Sequence, residues 1–111
     1  MSQTSYIEIE LSTLSYHSWP NAPEHREYLK PRHQHVFTVK VRVGVTDLDR
    51  EVEYHDLRDK ANGIITTMSF DNSCENNARY IYDRLKRSYS PLAVWVGEEG
   101  NVWSKYGDVV V

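Results

Sequence analysis

The sequence has a single cysteine, Cys74, so it can form neither an internal disulfide nor a cysteine-rich metal knuckle, and histidine and carboxylate remain as the plausible metal ligands. It has no surplus of positive charge. Thirteen Lys and Arg stand against 16 Asp and Glu, so no basic field exists to hold a nucleic-acid backbone or an anionic membrane surface, and neither is an expected partner. No apolar run approaches the roughly 20 residues that span a bilayer. The polar start MSQTSYIEIE lacks the basic and apolar regions of a signal peptide. Together these features predict a soluble, cytoplasmic chain. No repeat, low-complexity tract or linker interrupts the 111 residues. They read as one domain, 1–111, with a single core and too little bulk to enclose an active site alone.

What is present is strong alternation. In SYIEIELSTLSY, Ile7, Ile9 and Leu11 share one face and Glu8 and Glu10 the other, which predicts a strand running towards His17. HSWPNAPEHREYLKPR holds three prolines and reads as a loop with at most a helical turn over 24–29. Alternation resumes from His35 to Val45, with Phe37, Val39, Val41, Val43 and Val45 on one face. TDLDRE reads as a turn. HDLRDKANGIITTM, 55–68, has helical spacing at Leu57, Ala61, Ile64, Ile65 and Met68. CENNARYIYDRLKRSY is a second helix, with Ser73 as N-cap and Glu75 in its first turn. Two strands follow, 92–96 and 102–111, around the turn GEEGN. The order strand, strand, helix, helix, strand, strand predicts an α+β fold: a four-stranded antiparallel sheet with both helices on one face. The opposite sheet face would take its cover from another subunit.

Four of the five histidines, His17, His25, His33 and His35, fall within nineteen positions. His33 and His35 lie two apart on a strand, so their side chains point the same way and both rings can reach one ion at about 2.0–2.1 Å. Antiparallel pairing would bring His17, at the end of the first strand, to the start of the second. Three neutral imidazoles around one ion leave a fourth position open, the arrangement of a catalytic zinc site. An isolated H-x-H pair more often marks half-buried or loop histidines than metal ligands.

HSWPNAPEHREYLKPRHQHVFTVKVRV, REVEYHDLRD, NSCENNARYIYDRL and VWVGEEGNVWSKYG, in that order, resemble segments of the 6-pyruvoyl-tetrahydropterin and 6-carboxytetrahydropterin synthases of the tunnelling fold. The resemblance covers nearly the whole chain. Family members carry a histidine ending the first strand, HGHNY opening the second, a V-x-D-F-x-x-L-K segment, a T-A-E-N-x-A helix start and a carboxylate after the third strand. The matching positions are His17, His33 with His35, Val52 to Arg58, Ser73 to Ala78, and Glu98. The resemblance implies a Zn2+ ion on His17, His33 and His35. It implies a pterin-like or purine-like ligand at subunit interfaces, with Glu98 and Glu75 as substrate-binding residues. It also implies subunits closing edge to edge into a barrel, commonly a hexamer built as a dimer of trimers. In GEEGN, Glu99 could take the place of Glu98 by a one-residue shift.

The chain departs from the family pattern where the chemistry lies. Leu29 stands where these synthases place a cysteine, four residues before the paired histidines, and TTMSFDNS, with Asp71 its one carboxylate, replaces an L-D-H-x-x-L-N stretch. Cys74, at a helix start where the dipole can lower a thiol pKa, and Glu27, in the loop before the histidine pair, are the candidate substitutes for the missing base. Glu24 shares that loop. Trp19, Trp95 and Trp103 read as packing or interface residues. Two functions follow: a zinc-dependent lyase or aldolase acting on a pterin or related heterocycle with an altered base, or a catalytically silent protein on the same scaffold that holds such a ligand.

Overall fold

The computed structural model describes residues 3–111. Alternation in the first segment carries through one long strand, β1 (Ser5–His17), with Ile7, Ile9 and Leu11 turned inward and Glu8 and Glu10 outward. A loop holding one 3-10 segment (Glu24–Leu29) leads into β2 (His33–Val45), which returns antiparallel to β1. Phe37, Val39, Val41 and Val43 of β2 are at most 1% exposed and form the floor of the core. On it lie α1 (Tyr54–Ile65), through Leu57, Ala61 and Ile65, and α2 (Cys74–Leu85), through Ala78, Ile81 and Leu85. β3 (Leu92–Gly97) pairs with β2, and β4 (Ser104–Gly107) with β3, giving the antiparallel order β1-β2-β3-β4. The expected α+β architecture is the observed one.

Local chemistry sets the helix starts. The Glu53 carboxylate accepts the backbone N–H of His55 at 2.6 Å and of Asp56 at 3.2 Å, satisfying donors left free at the start of α1. Ser73 Oγ accepts Asn76 N–H at 3.1 Å and caps α2, as its position before the helix predicts.

Three elements end or extend differently from the sequence expectation, the second helix among them: read as running to Tyr89, it ends at Leu85. The first helix, expected to reach Met68, ends at Ile65. There the hydroxyls of Thr66 and Thr67 donate to the carbonyls of Asn62 (2.7 Å) and Gly63 (2.8 Å), and the Thr67 and Met68 amides both turn to Ile64 O. Side-chain donors thus satisfy the terminal carbonyls and the helix closes. The last strand, expected over 102–111, spans only Ser104–Gly107. Gly107 has φ +126°, outside the strand region, and a Cβ there would lie 2.5 Å from Leu92 O. Beyond it Asp108 closes the edge, donating its N–H to Leu92 O (2.8 Å) and accepting Leu92 N–H on its carboxylate (3.1 Å).

β3 runs along β2 only between Thr38 and Val43. Among the described residues, the far end of the β1–β2 hairpin, Thr13–His17 against His33–Phe37, therefore has no third strand, and the molecule is drawn out to 51 × 23 × 23 Å. A bare two-stranded ribbon is marginal in water. The link between α1 and α2 supports this one: Phe70, 1% exposed, stacks on Phe37 with ring centroids 4.5 Å apart and planes at 27°.

Candidate metal centre

The supported end of the hairpin is where the histidines meet. Strand register sets His17 directly opposite His33, and His35 follows on the same inward face. Ring centroids lie 4.2 Å apart for His17 and His33, 5.2 Å for His17 and His35, and 5.2 Å for His33 and His35. One ring nitrogen from each falls within 4.8 Å of the other two. A tetrahedral ion at about 2.0–2.1 Å from each nitrogen would hold them about 3.4 Å apart, a spacing that this convergence accommodates. Phe37 packs beneath, its ring edge-on to His17 at 5.1 Å and to His35 at 6.2 Å.

The hydrogen bonding favours a cation among these rings. His33 Nδ1 lies 3.0 Å from Pro31 O, and a carbonyl can only accept, so Nδ1 carries the proton and Nε2 presents a lone pair. His33 Nε2 and His17 Nε2 are both buried without a hydrogen-bond partner. Each such orphan costs about 1–3 kcal/mol, and metal coordination is one way to satisfy both. Burial, the largest influence, pushes the His17 pKa down; Glu98 opposes it, and the neighbouring His33 and His35 add to it. The net effect favours the neutral, ligating imidazole.

Glu98 enters the site because β3 ends at Gly97, opposite Thr38, and the next residue falls beside the two-stranded end of the hairpin. Its Oε2 lies 3.2 Å from His17 Nε2 but out of line for a hydrogen bond, and both atoms remain unpartnered. The other candidates stand apart from the imidazoles. Glu75 accepts from Ser104 Oγ at 3.1 Å, tying the start of α2 to β4. Cys74 is half-buried at the same helix end. Desolvation, with Glu98 and Glu75 adding to it, pushes its thiol up to about 11, opposite to the lowering expected from the helix dipole. Glu27 lies exposed on the 3-10 segment, and its carboxylate makes no hydrogen bond or ion pair with the three histidines. Elsewhere His55 pairs with Glu53 at 2.6 Å on the exposed start of α1, and His25 is exposed. On the outer sheet face Trp95 and Trp103 lie under Arg42 (5.0 Å) and Lys40 (4.3 Å), while Trp19 is 46% exposed.

Sequence reasoning missed the brace behind His17. Asp71, in the α1–α2 link, accepts Ser18 N–H at 2.6 Å and Ser18 Oγ at 3.1 Å on one carboxylate oxygen. Asn77, 1% exposed, donates to Phe70 O (3.4 Å) and Asn72 O (3.3 Å) and so pins the link on both sides of Asp71. The one sequence signal was a lone carboxylate in a short link, with nothing to identify a partner 53 residues away.

No protein-family model and no curated protein matches the chain. Among solved structures, the chain is similar to the 6-pyruvoyl tetrahydropterin synthase of Caenorhabditis elegans, with a TM-score of 0.60 and 17% sequence identity. The match covers 98% of this chain and 100% of that one. At this identity the likeness establishes the fold, a four-stranded antiparallel sheet with two helices of the 6-pyruvoyl-tetrahydropterin-synthase type. Among the described residues, no helix is long and apolar enough to cross a membrane.

Proposed function

We propose that the chain is a zinc-dependent protein of the 6-pyruvoyl- and 6-carboxytetrahydropterin synthase kind, acting in the cytoplasm on a pterin or related purine-like heterocycle. The observation that carries this reading is the convergence of three imidazoles, two of them with buried, unpartnered Nε2 atoms. His17, His33 and His35 would hold the ion. Zinc at such a site supplies a Lewis acid that polarises a substrate oxygen or acidifies a ligated water. The chain's own groups do the rest. Pro31 O fixes the tautomer of His33. In this proposal Glu98 anchors the heterocycle, its carboxylate accepting two N–H donors from a guanidine-like edge, and Glu75 assists from the start of α2. Glu27 is the candidate base for lyase or aldolase chemistry.

The proposed assembly is a homo-oligomer, a hexamer formed as a dimer of trimers. β1 is a thirteen-residue edge strand, and edge-to-edge closure of subunits would pair its free backbone groups. The ligand would then lie at the subunit interface, which a chain this small needs in order to enclose it.

One observation favours the second reading, a silent binding protein that retains such a ligand. The thiol of Cys74 is pushed up to about 11, so the sole cysteine supplies almost no thiolate at neutral pH. Elemental analysis of the purified protein tests the metal. Incubation with dihydroneopterin triphosphate, followed by mass spectrometry, separates the two readings. Loss of the ligand side chain supports the enzyme, and stoichiometric retention of unchanged ligand supports the binder. Protein that takes up neither zinc nor pterin overturns both.

A further inference from the structure

We infer that Asp71 is a positioning residue for the metal centre, acting through the backbone of Ser18 to hold His17 in convergence with His33 and His35. The inference rests on the metal reading above and extends it to a residue outside the ligand set. The strand ladder ends at the His17–His33 pair, and the chain then turns into the loop containing Pro20. A terminal ladder residue frays unless something beyond it is tied down. Trp19 gives a tie within the loop, its N–H donating to Leu29 O at 3.0 Å, and the tie to the helical layer is Ser18. Its N–H and its hydroxyl both donate to Asp71 Oδ1, at 2.6 and 3.1 Å, and bonds to a carboxylate are the stronger kind.

The anchor at the other end is rigid for independent reasons. Asn77, buried in α2, holds the carbonyls on either side of Asp71, and Phe70 is stacked under Phe37. The Phe37 ring in turn meets His17 edge-on at 5.1 Å. One polar contact and one apolar contact thus run from the helical layer to the same ligand. Of the three imidazoles, His33 and His35 lie two residues apart on one face of β2 and keep their spacing whatever the link does. His17 comes from the other strand, at its last paired residue, so its placement decides whether two ligands or three can meet. Outer contacts that orient metal ligands typically carry about 10–100-fold in affinity.

The test compares Asp71→Ala, Asp71→Asn and Ser73→Ala in the full chain. Zinc affinity is read by chelator competition and coordination by the visible absorption of the cobalt-loaded protein. Asp71→Ala is expected to weaken zinc binding about tenfold or more and to shift the cobalt spectrum away from three-nitrogen coordination. Asp71→Asn keeps an oxygen that accepts Ser18 N–H and is expected to stay within about threefold of the parent. Ser73→Ala removes the α2 cap and lowers stability without touching the Ser18 tether, so its zinc affinity should be unchanged. Parent-like affinity in Asp71→Ala overturns the inference, as does a tenfold loss in Asp71→Asn or in Ser73→Ala. A parent protein that binds no zinc defeats the metal reading and this inference with it; a parent that binds, with Asp71→Ala equal to it, defeats the inference alone.

Discussion

Replacing His33 by alanine should separate a ligand from a packing residue by how small its effect on the metal-free protein is and by how much of the zinc-induced stabilisation it removes. In the metal-free fold His33 Nε2 is buried with no partner, an arrangement worth about 1–3 kcal/mol against the folded state. The substitution removes that cost along with the Nδ1 bond to Pro31 O, a contribution of about 0.5–1.5 kcal/mol, and some ring packing. These effects nearly cancel, so metal-free His33→Ala should melt within about 1 kcal/mol of the parent. Phe37→Ala, by contrast, empties a fully buried site and should cost about 3–5 kcal/mol. With zinc at about 100 times its dissociation constant, the parent should gain about 2.7 kcal/mol. For a chain of this length that is roughly a 10–15 °C rise in melting temperature. His33→Ala should lose nearly all of the rise. Scanning calorimetry of both variants, with and without zinc, reads every quantity. The reasoning fails if metal-free His33→Ala falls as far as Phe37→Ala while the zinc-induced rise survives, because the imidazole would then be an ordinary core side chain.

Two further outcomes follow from the surroundings of single residues. The Cys74 pKa is raised from 9.0 to about 11, so between those values the unfolded chain gives up a proton that the folded chain keeps. Its contribution is full below pH 9 and is lost as pH climbs towards 11; denaturant titrations should show the parent losing stability faster than Cys74→Ala over that window, and equal slopes would contradict the raised pKa. Gly107→Ala forces a side chain onto φ +126° and a Cβ to within 2.5 Å of Leu92 O, and should cost more than about 1 kcal/mol by urea melt, whereas Gly63→Ala, with open space around it, should be neutral or stabilising.

The histidine cluster was legible because it depends only on regular geometry. A period of two places His33 and His35 on one face, and antiparallel return brings His17 to the start of β2; the observed register joins His17 to His33 directly. The valine ladder of β2 and the Ser73 cap were readable for the same reason, each being a local rule that tertiary packing reinforces. The extent of β4 was not, because its end is set by the positive φ of Gly107, and a glycine in a run of strand formers does not reveal which conformation it takes. Cys74 shows a second kind of failure. The helix-dipole effect could be read from position, but the opposing desolvation and the approach of Glu98 from another element could not.

The brace at Ser18 was illegible for a deeper reason, and that reason bears on how the site works. Three donors in this protein are mounted on the part of the sheet with the fewest neighbours, two strands without a third. A helix face or a central strand would hold them more rigidly but would also enclose them. The structure keeps the end of the hairpin open and stiffens it from behind. Asn77 fixes the link, the link places Phe70 and Asp71, and these in turn hold Phe37 and Ser18 on either side of His17. None of these contacts has a period, and each joins residues at least five positions apart, Asp71 and Ser18 being 53 apart. Rigidity here is a tertiary property supplied by an ordinary-looking link. The short interval between the helices, which by resemblance marks the loss of catalytic groups, is therefore also the segment that ties down the chain beside His17.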